Sequence, residues 1–272
     1  MKINKKKFRA IYYQCLEDIL AIRPVNGELK DILAIHDYDY KYYDVENYLE
    51  KSWTRAWEIY KLLPDVSEKQ KIQILDIGSL FCNFSLCFKR LGYEVVAVDA
   101  YKYYGDIFNK LIEFLIQEGV MVNNIDFTVP LSAERQKDKY DVILCLAVLE
   151  HLAHSPKSLF ENIKQVLAPN GSLVLEVPNI AYWPNRIKLM AGQSILSPIR
   201  TIYQSEPPFT GHHHEYTANE IRDLASLSDF KLEKMVFYNY SVSSIIYKLL
   251  YFPANLFDSC KELILAKLNI VR

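Results

Sequence analysis

The chain has 272 residues, half of them hydrophobic and about a quarter charged, a length that supports one large α/β domain or two small ones. With 32 basic and 33 acidic residues the formal charge is −1, which argues against a nucleic-acid grip built on net positive charge. No apolar run reaches the roughly 18–20 residues that span a bilayer, and five scattered cysteines with no CxxC pair speak against a disulfide scaffold or zinc module and fit a reducing cytoplasm.

The basic start, Met1 to Lys7, runs into a helical pattern containing Glu17 and Asp18, not into a signal-peptide core. Phe8, Ile11, Tyr12, Cys15, Ile19 and Leu20 recur at helical spacing, as do Leu49, Trp53, Trp57, Tyr60 and Leu63, and Pro64 ends the second run. Residues 1–70 therefore read as an N-terminal helical cap. From residue 72 the pattern alternates. Strands are expected at 72–77, 94–99, 121–127, 141–146 and 172–177, with helices at 83–91, 105–118 and 157–167 between them. Near-continuous apolar strands separated by helices predict a parallel sheet covered on both faces. Ile180 to Gly192 reads as helix apart from Pro184, and 193–216 as a polar excursion. Thr217 and Glu220 form a capping box that opens a helix over 218–228. Lys231 to Tyr238 reads as a strand and Ser241 to Tyr251 as an amphipathic helix. Lys261 to Leu268 fits a strand or a helix, with the strand favoured.

In an open parallel sheet, ligands sit beyond the carboxyl ends of the strands. Two of the first strands end in acids there, Asp76 just before Gly78, and Asp99. An acid about 20 residues past a glycine turn is placed to accept hydrogen bonds from both hydroxyls of a ribose, which suits an adenosine-containing ligand. The plainer alternative is that both acids only cap their turns.

The segments Ile74-Leu75-Asp76-Ile77-Gly78-Ser79, Val96-Ala97-Val98-Asp99 and Asp141 through Leu152, with the turn Leu167-Ala168-Pro169-Asn170-Gly171-Ser172-Leu173, resemble the class I S-adenosylmethionine-dependent methyltransferases over about residues 70–230. The resemblance implies a Rossmann-like, doubly wound α/β fold: a seven-stranded sheet, mostly parallel, ending in an antiparallel hairpin within residues 71–272. It implies S-adenosyl-L-methionine as cofactor. Asp76 and Gly78, with Ser79, would line its methionine part; Asp99, with Ala100, would hold its ribose. Asp126 and Phe127 would meet the adenine, and Leu146 would touch the cofactor through its backbone. Phe127 reads equally well as a core residue.

The chain departs from this family in the loop after the first strand, where only Gly78 remains of three glycines. Leu80 and Cys82 must turn into the sheet–helix interface or else narrow the cofactor cleft. Glu150-His151 resembles the acid–histidine pair of quinone-biosynthesis O-methyltransferases. Some of those carry a further acid where this chain has Ala147, so no metal is assigned. His151 is a candidate base, because imidazole titrates near neutral pH, and a packing role is the alternative. In Gly211-His212-His213-His214-Glu215-Tyr216-Thr217, adjacent side chains diverge, which disfavours a shared ion. Related small-molecule enzymes border the acceptor pocket with a similar segment, so His212 or His214 is a second candidate base.

The insertion at about 180–216, with Tyr182, Trp183 and Arg186, would set acceptor choice. Tyr38 to Tyr43 reads as a lid or as a packed aromatic turn. The stretch 245–252 suits the core, a homodimer surface or peripheral membrane contact, with packing the plainer choice. Together these readings predict an enzyme that O-methylates a small molecule or glycan hydroxyl by in-line displacement. A non-catalytic scaffold with a degenerate loop is the alternative, and a nicotinamide dehydrogenase fits less well because the loop lacks the glycines a pyrophosphate needs.

Overall fold

Short apolar runs bounded by glycines and acids become strands in the computed structural model, which describes residues 2–24, 28, 44–67, 71–204, 211–241 and 252–271. The strands are β1 (Gln73–Ile77), β2 (Glu94–Asp99), β3 (Met121–Asn124), β4 (Tyr140–Leu146), β5 (Leu167–Pro178), β6 (Phe230–Tyr238) and β7 (Leu263–Ile270). They form one seven-stranded sheet of order β3-β2-β1-β4-β5-β7-β6. β1 to β5 pair in parallel, and β7 runs antiparallel to both β5 and β6. The strand favoured from sequence at 261–268 is formed, shifted by two residues to Leu263–Ile270.

Strand geometry explains the near-continuous apolar runs, since successive side chains enter opposite layers. Val142, Leu144 and Leu146 of β4 join one core, and Ile143 and Cys145 join the other. The first core lies under α1 (Lys5–Ile22), α2 (Val45–Lys51), α3 (Trp53–Tyr60), α4 (Asn83–Arg90) and α5 (Asn109–Gln117). The second lies under α6 (Lys157–Val166) and α9 (Ala218–Leu227); α7 (Trp183–Met190), α8 (Ile199–Gln204) and α10 (Phe252–Leu256) complete the described helices. The capping box at Thr217 and Glu220 is formed in full and starts α9. No helix among the described residues is long and apolar enough to cross a membrane.

Three expected boundaries move. The helix placed at 105–118 begins at Asn109, because Tyr101–Tyr104 forms a 3-10 turn and Gly105 takes a φ of +60°. β3 stops at Asn124, short of the expected Phe127. β5 starts at Leu167, where Leu167 pairs with Tyr140 across a register shift. The Tyr38–Tyr43 segment and the 242–251 part of the amphipathic stretch lie outside the described residues.

The N-terminal helices share a core with the sheet. Phe8, Tyr12, Ile19, Leu49 and Ile59 are buried in the same cluster as Leu86 and Phe88 of α4, and the Tyr12 hydroxyl donates to Leu49 O at 2.7 Å while accepting from Asn83 Nδ2 at 3.0 Å. A buried ion pair adds to this packing. Arg55 of α3 donates through Nε (2.8 Å) and Nη2 to Glu176 Oε1 of β5, and through Nη1 to the Tyr48 hydroxyl at 2.6 Å. The Tyr238 hydroxyl donates to the other Glu176 oxygen. Breaking such a pair leaves an uncompensated buried charge, at a cost of about 3–5 kcal/mol. Arg55→Met is therefore expected to lower the unfolding free energy by about that much, and the Arg55→Met/Glu176→Gln double variant by less than the sum of the single variants, measured by urea unfolding.

Candidate active site

A cavity of about 290 Å³ opens at the carboxyl ends of β1, β2, β4 and β5, bounded on one side by Tyr48 and Arg55. Strand order reverses here, because β1 is flanked by β2 on one side and β4 on the other. Of the residues expected to hold a cofactor, Asp76, Gly78, Ser79, Asp99 and Leu146 line this cavity.

The loop after β1 takes its path without the missing glycines. Gly78 adopts φ +72°, and a Cβ there would stand 2.4 Å from Val148 Cγ2, so glycine is required. Gly78 and Ser79 both donate backbone hydrogen bonds to Val98 O, at 2.9 and 3.2 Å, which fastens the loop to β2. Leu80 and Cys82 adopt left-handed φ of +39° and +53°, a conformation costing L-residues roughly 1–2 kcal/mol each. Tyr101 braces this strained stretch. Its buried hydroxyl donates to Leu80 O at 2.9 Å and lies 3.3 Å from Ser79 Oγ and 3.2 Å from Cys82 Sγ. The Cys82 side chain is buried in the core, while Leu80 forms part of the cavity wall without closing it.

Asp99 is oriented from both sides. Its Oδ2 accepts from Leu80 N at 2.8 Å and its Oδ1 from Ala100 N at 2.7 Å. Ala100 thus acts on the cavity only through Asp99. Burial raises the Asp99 carboxyl above its ordinary range, and the two N–H groups oppose that shift. Asp76 is buried at the end of β1 and accepts from the Ser85 hydroxyl. Burial pushes its carboxyl up to about 7, the Ser85 hydrogen bond works against this, and the charge of Asp99 adds to it.

Asp126 and Phe127, expected at the adenine, are not among the residues that line the cavity, although the charge of Asp126 acts on Asp99 at its wall. Because β3 ends early, Asp126 turns back to accept from the Thr128 N–H and hydroxyl at 2.9 and 2.6 Å. Phe127 is buried in the second core.

The two candidate bases, widely separated in sequence, meet at the opposite wall. Tyr216 bridges to Asn179 beyond β5, and His213 N donates to Glu150 O at 2.7 Å, which carries the 211–216 segment across the turn after β4. The His151 and His212 rings then lie edge to face, with centroids 4.8 Å apart. Glu215 Oε1 is 3.1 Å from His212 Nδ1, where a carboxylate accepts from an Nδ1–H. His214 diverges to Glu220 of the α9 cap at 3.0 Å and does not line the cavity.

Glu150 is buried, and its Oε2 makes no hydrogen bond among the described residues. Burial pushes its carboxyl up to about 7, against the lowering influence of His212. One donor atom each from Glu150, His151 and His212 lies within 4.8 Å of the others, a spacing that a single cation can bridge. Arg55, Tyr48 and Tyr240 also line the cavity, and sequence reasoning missed them. The richness in tyrosine was the one available signal.

Two outcomes follow. Tyr101→Phe removes the hydroxyl that braces the left-handed loop and is expected to lower the unfolding free energy by about 1–3 kcal/mol in urea titrations. Between the ordinary value of 4.5 and about 7, folded Glu150 keeps a proton that the unfolded chain releases, so its contribution to stability falls as pH rises through that window. Glu150→Gln, neutral throughout, is expected to show a smaller drop in unfolding free energy between about pH 5 and about pH 8, with the residual slope carried by Asp76 and Asp99, whose carboxyls burial also raises.

A ubiquinone biosynthesis O-methyltransferase of Rickettsia prowazekii is 31% identical over 125 residues, which cover 44% of this chain and 46% of that protein. The Rickettsia bellii protein of the same name is 25% identical over 142 residues, covering 51% and 55%. The chain therefore spans about half the length of these curated relatives. Among solved structures, the glycopeptide N-methyltransferase MtfA complexed with S-adenosyl-L-methionine superposes with a TM-score of 0.53 at 12% identity, covering 79% of this chain and 92% of that one. The PH0226 protein of Pyrococcus horikoshii OT3 gives 0.53 at 18% identity, covering 84% and 92%. These two similarities show the shared fold. The family model described as a methyltransferase domain matches residues 48–235, and with well over half of the chain inside that match, the chain belongs to the methyltransferase-domain family.

Proposed function

We propose that the protein is an S-adenosylmethionine-dependent methyltransferase that methylates a hydroxyl of a small molecule or glycan. The observation that carries this reading is Asp99, a carboxylate fixed by two backbone N–H groups at the wall of a cavity at the strand-order reversal. A carboxylate offers about four acceptor sites; two are taken by these N–H groups and a third by the Tyr104 hydroxyl, 3.5 Å from Oδ1 at the cavity wall, whose place a ribose hydroxyl can take. Gly78 keeps the adjoining wall free of a side chain, and Leu80 leaves the crevice open. These features fit the cofactor.

S-adenosylmethionine, when bound, supplies a methyl group already activated on a sulfonium. The protein's share is alignment and proton management. Asp99 and the Gly78–Leu80 backbone fix one end of the site, and His151 and His212 face it from the other, an arrangement that turns an encounter into an oriented approach. A hydroxyl must shed its proton as the methyl arrives, whereas a neutral amine can react first and lose its proton later. Two imidazoles beside the cavity therefore favour oxygen as the acceptor. His212 takes that proton on Nε2, and Glu215 and Glu150 stabilise the resulting cation. The O-methyltransferase names of the curated relatives support this choice, and Ala147 adds no carboxylate toward a metal. Five free, buried cysteines suit a reducing cytoplasm.

Isothermal titration calorimetry with S-adenosylhomocysteine tests the reading. The wild type is expected to bind in the micromolar range, and Asp99→Ala at least about tenfold more weakly. Absence of binding by the folded wild type would return the chain to the scaffold alternative.

A further inference from the structure

Asn83 opens α4 just past the loop after β1, and its side chain belongs to the contact that joins the N-terminal helices to the sheet. Chemistry fixes the direction of that contact. Leu49 O of α2 is a carbonyl and can only accept, so the Tyr12 hydroxyl of α1, 2.7 Å away, gives it its single proton. Burial holds the Tyr12 phenol well above its usual range, against the hydrogen bond from Asn83, so that proton stays in place. The hydroxyl oxygen is then the acceptor toward Asn83, and it must face the NH2 of the amide, 3.0 Å away. The orientation of the Asn83 amide is thereby set from α1 and α2, and its oxygen is left out of the contact.

Asn83 is only 8% exposed, and it lines the cavity. Its amide oxygen accepts no hydrogen bond among the described residues. A nearly buried amide oxygen without a donor is costly, so this position suits a ligand group that donates. Asp76 lines the same cavity, and Ser85, two residues along α4, donates to its Oδ2. The first turn of α4 therefore sets two acceptors, an amide oxygen and a carboxyl, at one end of the cavity. A hydroxyl has one proton to give, whereas a primary ammonium has three N–H groups. An end furnished with acceptors selects the ammonium.

We propose that Asn83 binds the α-ammonium at the methionine end of the cofactor, its amide oxygen accepting one N–H beside Asp76, and that Tyr12 is the positioning residue that keeps this oxygen presented. The assignment rests on the methyltransferase reading, which gives the site a ligand carrying that ammonium. It brings the N-terminal helices into cofactor recognition: α1 acts on the ligand through Asn83 although none of its residues lines the cavity. Because the amide is neutral, its hydrogen bond persists whether Asp76 is ionised or protonated.

Calorimetry of the full chain with two ligands tests this: S-adenosylhomocysteine, and its deaminated analogue in which hydrogen replaces the ammonium. The wild type is expected to bind the first at least about tenfold more tightly, the effect of hydrogen bonds to a charged group. Asn83→Ala is expected to weaken S-adenosylhomocysteine at least about fivefold while leaving the analogue within about twofold. Tyr12→Phe, which removes the hydroxyl and keeps the ring, is expected to weaken S-adenosylhomocysteine about threefold, again with the analogue unchanged. Such selectivity separates recognition from folding, because a disturbed loop loses both ligands alike. Equal losses for the two ligands in Asn83→Ala, no loss at all, or a wild type indifferent to the ammonium would overturn the proposal. A selective loss in Asn83→Ala with Tyr12→Phe equal to wild type would overturn the positioning role. A folded wild type that binds neither ligand sinks the methyltransferase reading, and the assignment of Asn83 with it.

Discussion

Glu176 sits on a central strand without solvent exposure, and an isolated carboxylate there would cost several kcal/mol in lost hydration. Its tenability depends on a cation delivered from elsewhere in the chain. Arg55 arrives from 121 residues earlier, on a helix ahead of the sheet, surrounded by the rings of Tyr48, Phe84 and Tyr240. The planar guanidinium can meet a carboxylate, a phenol and three aromatic faces at once, which an ammonium cannot do as well. The pair therefore does more than fasten α3 to β5. It fixes where the helical segment stands over the carboxyl edge of the sheet, and so it sets one wall of the cavity.

The loop after β1 shows how a family's glycine pattern can erode without loss of the path it encodes. Glycine makes left-handed backbone cheap, but it does not make it exclusive. Leu80 and Cys82 hold the same handedness under the Tyr101 hydroxyl, which contacts three consecutive parts of the loop from the turn after β2. Gly78 could not be replaced this way. Its limit is the space occupied by Val148, and no bracing contact relieves a clash.

The strands β1, β2, β4 and β5 were legible in the sequence because they are buried on both faces and read as near-continuous apolar runs, whereas the edge strands β3 and β6 are partly exposed. The strand-end acids and Gly78 were legible because topology puts strand ends where ligands go. His151 and His212 were readable as separate candidates, but their meeting was not. It depends on a bridge from Tyr216 to Asn179 and a backbone bond from His213 to Glu150, which no local spacing encodes. Asp126 and Phe127 lie outside the cavity lining for a local reason: β3 ends at Asn124, Thr128 donates to Asp126 Oδ1, and Phe127 turns into the second core. Arg55 escaped because a lone arginine at helical spacing carries no sign of a partner more than a hundred residues away.

The acid beneath the two imidazoles also bears on the energetics of the proposed reaction. An imidazolium formed in a poorly hydrated cavity is costly unless a negative charge is near. Burial raises the Glu150 carboxyl to about 7, and the nearby His212 lowers it. A proton arriving on His212 lowers the proton affinity of Glu150, and ionised Glu150 raises that of His212, so the two titrate as a linked set rather than as independent groups. In its ionised form Glu150 offsets the positive charge that His212 gains on taking the acceptor's proton. Burial of that carboxylate, a cost to folding, keeps this compensating charge unscreened at the point where a hydroxyl would have to lose its proton.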